Sequence, residues 1–434
     1  MSVEVGFYGV GILMILLLLR VPVALALIGV SFGGITWLLG LTPALGIVSN
    51  TPYSFVASWT MSAVPMFVLM GFVSFHAGLT GGLFEAAKSV LARVPGGLAI
   101  SSIFACSGFA AVSGSSLACA AAMGRIAIPE MVAAGYRPSV AAGTIAAGGT
   151  IGALIPPSIL MIVYGVFAET SVTEVFLGGI GIGLLTAVSY SLIVVVICLF
   201  RPDIIPRRLE GVSAGGGLAA IAQIWPTLVL IGLVFGGLFS GLFTATEAGA
   251  VGALGAIALS ALTGRLTRKV MRDSLVETLA TCASLFIIGI GAAMFTRFLG
   301  VTGLSSFISY AVSGADLSYL QLMAIIVFVY IVIGTFMEPF GAMLITLPVL
   351  LPAVEAQGLN LVWFGVLVVK LLEIGMITPP VGLNVFVIHS VAGRHVSVAQ
   401  IFMGVLPFLV ADFIVVALAV LVPGLVLFFP MLLQ

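Results

Sequence analysis

Charge is what this sequence has least of. Only 7% of its 434 residues are Asp, Glu, Lys or Arg, against about 25% in a soluble domain. The 15 basic and 15 acidic side chains cancel, which argues against a nucleic-acid partner. Long polar runs are missing too. The longest, roughly Arg201 to Gly217, is too short to fold alone and leaves no extramembrane domain. His76, His389 and His395 are the 3 histidines, far apart and with no shared ligand or catalytic spacing. Cys106, Cys119, Cys198 and Cys282 all sit inside apolar runs, match no metal motif and read as small packing residues. No Gly-x-x-x-x-Gly-Lys-Ser/Thr occurs, so energy must come from an ion gradient or from another chain. The start, Met1-Ser-Val-Glu-Val, lacks a basic stretch and reads as the approach to a first spanning helix, not as a cleaved leader.

What is present is apolar: 62% of the residues, with a mean hydropathy of +1.34 and 53 glycines. A hydrocarbon core takes about 20 helical residues to cross. Runs at about 5–19, 22–40, 60–79, 175–200, 218–241, 246–263, 274–298 and 398–428 read as helices. The stretch with Thr42-Pro43 and Thr51-Pro52 reads as a loop, as does the one with Lys88 and Arg93. A loop or surface helix fills the chain to about 316. With the N-terminus outside, Arg20, Lys88, Arg93, Arg125, Arg137, Arg201, Arg207, Arg208, Arg265, Arg268, Lys269, Arg272 and Arg394 all fall on the cytoplasmic face. Both termini then fall on the outer face of a multi-pass membrane protein.

Two features interrupt this pattern, and each occurs twice. Arms at about 97–112 and 116–130 flank the small polar tip Ser113-Gly-Ser-Ser116, and arms at about 318–334 and 341–354 flank Thr335-Phe-Met-Glu-Pro339. The first pair is short for spanning, so hairpins 97–130 and 318–354 read as re-entrant. A helix over 138–167 is broken at Pro156-Pro157, and one over 360–390 at Pro379-Pro380. A shift of 223 positions carries Pro129, Pro156 and Pro157 onto Pro352, Pro379 and Pro380, and Gly135 and Gly152 onto Gly358 and Gly375. One hairpin enters from inside and the other from outside, which makes this an inverted-topology repeat. The expected fold is an all-α polytopic membrane protein, one integral membrane domain over 1–434. Inverted repeats cover about 60–200 and 274–428.

Proline removes a donor and breaks the helical ladder, so carbonyls before each break and N–H groups after it lose their partners. Free carbonyls with hydroxyls suit a hard cation; a half-helix N-terminus suits an anion. Ser113, Ser115, Ser116, Thr150 and Ser158 supply hydroxyls in the first half; Thr335 and Thr378 do so in the second, with Asn384 just beyond the break. Glu338 is the carboxylate in a tip, and an ionisable residue at membrane depth is a functional candidate. Lys370 and Glu373, three apart on one helix, are expected to pair, and Glu247 to cap the helix after Thr244-Ala-Thr246.

At these motifs the sequence resembles the large membrane subunit of tripartite ATP-independent periplasmic (TRAP) transporters, the DctM-like family. The matching stretches are Ser113-Gly-Ser-Ser116, Ile128-Pro-Glu-Met131, Ala146-Ala-Gly-Gly-Thr150, Ile155-Pro-Pro-Ser158, Tyr164-Gly165, Thr244-Ala-Thr-Glu-Ala248, Met337-Glu-Pro339 and Ile377-Thr-Pro-Pro-Val-Gly-Leu-Asn384. Arg125 departs from the pattern, where a small or polar residue is expected. The resemblance implies the elevator-type part of a Na⁺-coupled symporter importing an organic acid, such as a C4-dicarboxylate or sialic acid. It would pair with a small four-helix membrane subunit and receive substrate from a periplasmic binding protein. Na⁺ is the coupling ion and no other cofactor is implied. By matching motifs, the first Na⁺ site would use Ser113, Gly114, Ser115, Ser116, Gly149, Thr150, Gly152 and Pro156. The second would use Gly334, Thr335, Met337, Glu338, Gly341, Thr378 and Pro379. Substrate would meet Ser115, Ser116, Pro157, Ser158, Pro339, Pro380 and Asn384. Competing readings are a stand-alone anion symporter of the same architecture, a passive channel, and an intramembrane hydrolase using Ser115 or Ser116. The hydrolase needs a base within reach, and no histidine stands at a suitable helical spacing.

Overall fold

Many helix starts in this chain are set by short polar side chains, and the apolar stretches between them form the helices. In the computed structural model, residues 2–91, 93–206, 222–314, 317–393 and 396–432 are described. Arg207, Arg208, Arg394, His395 and the expected start of a helix at 218 lie outside them. The described residues form α1 (Val3–Leu18), α2 (Val23–Leu39), α3 (Leu41–Val56), α4 (Ala63–His76), α5 (Leu83–Leu91), α6 (Gly97–Ser113), α7 (Ser116–Ala133), α8 (Pro138–Thr150), α9 (Ile159–Phe167) and α10 (Val172–Phe200). They continue with α11 (Trp225–Phe239), α12 (Ala245–Leu262), α13 (Arg268–Thr302), α14 (Leu304–Gly314), α15 (Tyr319–Phe336), α16 (Pro339–Ala356), α17 (Leu361–Gly375), α18 (Leu383–Ala392), α19 (Val398–Leu421) and α20 (Gly424–Leu432). No strand occurs among the described residues. Ser115, Ser158, Ser171, Thr267 and Asn360 accept from backbone N–H groups at helix starts, and Thr244, Ser318 and Ser397 form reciprocal capping boxes. Each such cap stabilises its helix by about 1 kcal/mol.

Among the described residues, eight helices are long and apolar enough to cross a membrane. Large apolar side chains such as Leu18, Phe200 and Leu262 point outward, as a lipid-facing surface requires. The two halves superimpose in sequence register. Shifted by 223 positions, α7 falls on 339–356, the bounds of α16, and α6, α8, α9 and α10 fall within a few residues of α15, α17, α18 and α19. Both Pro–Pro bonds are cis. Hydrogen bonds tie the halves together: Tyr164 Oη donates to the Leu361 carbonyl at 2.6 Å and Asn384 Nδ2 to that of Ala146 at 3.3 Å. Glycine lets α8 and α19 touch directly, since a Cβ on Gly404 would collide with the Ser139 carbonyl.

Several expectations about element bounds need correcting. The expected loop around Thr42-Pro43 and Thr51-Pro52 is α3, because Pro43 sits in a first turn, where its missing N–H costs nothing. Part of the loop with Lys88 is α5. The final helix ends at Leu421 and restarts at Gly424. The arms do not stand apart by length: α7, α15 and α16 each have 18 residues and meet the length of a span. The second tip is also narrower than expected. Thr335 belongs to α15, Pro339 opens α16, and only Met337 and Glu338 lie between.

Candidate functional site

The first tip turns in two residues. Ser113 ends α6, Gly114 adopts φ +60°, and Ser115 caps α7 by accepting from the Ala118 N–H at 3.4 Å. A side chain at Gly114 would strike the Pro157 carbonyl, and a Cβ on Gly152 would come within 2.9 Å of the Ser115 carbonyl. Absence of both Cβ atoms therefore seats the tip directly on the break after α8. That break is a short 3₁₀ turn, Ile151–Ala153, and then an irregular stretch through Pro156 and Pro157 to Ser158, whose Oγ caps α9.

In the second half the close approach lies just inside the helices that flank the tip and the break. A Cβ on Gly334 would lie 3.3 Å from Gly375 Cα, so the end of α15 meets the end of α17 backbone to backbone. Glu338 caps α16, accepting from the Gly341 N–H at 3.2 Å. Thr378 Oγ1 donates to the Ile374 carbonyl at 2.6 Å, and the backbone N–H of Asn384 reaches back to the Met376 carbonyl at 3.0 Å. The two breaks differ in cover: Pro156 and Pro157 are buried, while Pro379 and Pro380 are exposed.

A cavity of about 600 Å³ lies between the tips. Of the expected residues, Ser113, Gly114, Ser115, Ser116, Glu338 and Pro339 line it. Gly149, Thr150, Gly152, Pro156, Pro157, Ser158, Gly334, Thr335, Thr378, Pro379, Pro380 and Asn384 do not. Asn384 instead holds α8, and Thr150 donates within its own helix to the Ala147 carbonyl at 2.7 Å. Met337 and Gly341 line a second cavity, of about 840 Å³, together with Arg20. Glu338, Thr281 and Leu285 border both cavities, so the second tip and α13 form the wall between them.

Several polar groups escaped the sequence reading. Arg125, Glu277 and Glu373 also line the first cavity. Lys370 does not pair with Glu373. Its Nζ bonds Asp412 Oδ1 and Thr186 Oγ1, the latter at 3.1 Å, and Tyr190 Oη donates to Asp412 at 2.8 Å. Tyr190 also lies 3.3 Å from Thr150 Oγ1, which links this buried network to the first break. Glu373 is left 1% exposed, with neither carboxylate oxygen hydrogen-bonded. A lone acid inside the apolar run of α19 and another inside α17 were the available signals, because charge at membrane depth is costly.

Similarity to known proteins identifies the family. A family model described as "Tripartite ATP-independent periplasmic transporter, DctM component" matches residues 10–425. The chain belongs to the DctM family of TRAP transporter large permeases. Among DctM-family relatives, it is 36% identical over 370 residues to the C4-dicarboxylate TRAP transporter large permease protein DctM of Pseudomonas aeruginosa, covering 82% of this chain and 85% of that one. It is 33% identical to the sialic acid TRAP transporter large permease protein SiaM of Vibrio cholerae, covering 96% of both. It is 32% identical to the isethionate TRAP transporter permease protein DctMQ of Oleidesulfovibrio alaskensis, covering 96% of this chain but spanning 65% of that protein's length. Among solved structures, the Alcanivorax borkumensis YdaH transporter superimposes with a TM-score of 0.63 at 15% identity, covering 87% of this chain and 88% of that one. The family makes this a multi-pass membrane transport protein, and its relatives are permeases, not enzymes.

Proposed function

We propose that this DctM-family chain is the transport subunit of a Na⁺-coupled TRAP system importing an organic acid across a bacterial inner membrane. The observation that carries this reading is the seat of the first tip on its break, Gly114 against Pro157, with the ends of α15 and α17 packed backbone to backbone at Gly334 and Gly375 in the second half. Irregular backbone at membrane depth is tolerated where it lines a cavity or binds something. Inverted repeats meeting at broken helices place substrate and ion sites near the midplane. On this reading, 60–200 and 274–428 are inverted repeats and both hairpins are re-entrant. They move together as an elevator, and both termini are periplasmic.

The fit to a cation can be tested on the residues themselves. Ser113 Oγ is buried at the first tip with no hydrogen-bond partner, an oxygen free to act as a ligand. It stands with Ser115, Ser116 and the tip carbonyls, an all-oxygen donor set suited to Na⁺ by hard-ion logic. In the second half, the carbonyls near Gly334 and Thr378 take the same part, with Thr335, Met337, Glu338 and Gly341 shaping the tip. The free N–H groups after each Pro-Pro break, with Ser158 and Asn384 nearby, suit a carboxylate. The C4-dicarboxylate and sialic acid in the relatives' names fit that donor set. A small four-helix membrane subunit would complete the membrane part, and a periplasmic binding protein would deliver substrate.

Uptake of a labelled dicarboxylate or sialic acid into proteoliposomes tests the assembly. The vesicles hold the chain and its small subunit, with and without an inward Na⁺ gradient and the cognate binding protein. Uptake needing both supports the proposal. Uptake needing Na⁺ alone would favour a stand-alone symporter of the same fold, and uptake needing neither would favour a passive channel.

A further inference from the structure

Glu373 is the buried carboxylate that the preceding reading does not use. It projects from α17 into the wall of the first cavity, 1% exposed, and both of its oxygens lack a hydrogen-bond partner. The nearby cation is already committed, since Lys370 Nζ is held by Asp412 and Thr186. Among the described residues no other Lys, Arg or His comes within ion-pair distance of Glu373. A buried carboxylate without a counter-charge is strongly unfavourable, so Glu373 is neutralised either by a proton or by a cation bound from outside the chain. On the facing hairpin, the Ser116 hydroxyl is directed at the Glu373 carboxylate but stays outside hydrogen-bonding geometry. Ser113, lining the same cavity, has a buried hydroxyl that is likewise unpartnered. Two orphaned oxygen groups thus share one cavity, one from each half of the chain.

We propose that Glu373 supplies the anionic ligand of the cation site at the first tip, so that this site is assembled from both halves. The inference rests on the Na⁺-coupled reading and adds to it a residue outside the tip-and-break motifs. A carboxylate facing the cavity also repels an organic acid until the cation has bound, which orders cation before substrate.

The test is Na⁺-dependent thermal stability of the full chain with its small subunit in nanodiscs, with Na⁺ exchanged against choline at constant ionic strength. The wild-type protein is expected to be stabilised by Na⁺ in a saturable way. Glu373→Gln, which keeps shape and removes charge, should raise the half-saturating Na⁺ concentration at least ten-fold, and Ser113→Ala should raise it as well. Glu373→Asp, a carboxylate one methylene shorter, provides the comparison if the Gln variant does not fold, and should show a smaller increase. Wild-type stabilisation with an unchanged midpoint in Glu373→Gln, or in Glu373→Asp where Gln fails to fold, would overturn the assignment of Glu373 and leave the Na⁺ reading standing. No saturable Na⁺ stabilisation in the wild type would overturn both.

Discussion

Replacing Lys370 by Met should be among the most damaging single changes in the molecule. Lys370 and Asp412 are both 0% exposed and face each other between α17 and α19. In Lys370→Met the Asp412 carboxylate keeps only the Tyr190 hydroxyl, 2.8 Å away, and loses its counter-charge. Removing one partner of a buried pair costs roughly 3–5 kcal/mol. The lost bond to Thr186, 3.1 Å in the wild type, adds about 1 kcal/mol. Because the penalty comes from the stranded charge, Lys370→Met combined with Asp412→Leu should recover most of it, as two apolar residues of suitable volume no longer bury an ion. Unfolding of single and double variants in mixed micelles, followed by circular dichroism, measures this. A Lys370→Met variant within about 1 kcal/mol of wild type, no more than a single neutral hydrogen bond typically contributes, would refute the reasoning. So would a double variant no better than the single one, since the coupling term of a double-mutant cycle would then be absent.

Three further outcomes follow from the glycine contacts and the caps. Gly114→Ala places a methyl group against the Pro157 carbonyl at a position with φ +60°. It should abolish uptake while leaving a protein that still elutes as a single species on size exclusion. Gly375→Ala drives a Cβ into the Gly334 backbone and should cost about 1–3 kcal/mol through overpacking, read as a lower unfolding midpoint together with lost uptake. Thr244→Ala removes the hydroxyl that accepts from the Glu247 N–H at 3.3 Å. It should cost about 1 kcal/mol and leave uptake unchanged, because this cap lines neither cavity.

The parts of the fold that were legible in the sequence are those decided locally. Pro156-Pro157 and Pro379-Pro380 break helices wherever they stand, and Gly114 turns a chain wherever a left-handed residue is needed. The 223-position register follows from such punctuation alone. Glu247 was also read correctly, since a capping box is a contact within one turn. Lys370 was not, for the complementary reason. A local rule pairs it with Glu373 three residues on, but the partner it has, Asp412, comes from another helix 42 positions away. Proline misled where its context was favourable: Pro43 and Pro339 sit in first helical turns, so one expected loop became a helix and one expected tip shrank to two residues. The cavity was illegible for a different reason. Whether Ser113 or Thr150 faces it depends on how two helices rotate against each other, and apolar stretches this uniform carry almost no helical periodicity to tell one face from another.

The proposal that each tip and its break form one cation-dependent site makes a quantitative statement about Na⁺. It is tested most directly by the initial rate of organic-acid uptake as a function of external Na⁺, compared among wild type, Ser115→Ala and Thr378→Ala in the reconstituted complex. The account predicts that both variants express and assemble normally, yet need several-fold more Na⁺ to reach half-maximal rate. Na⁺ curves that superimpose on the wild type in both variants would contradict it.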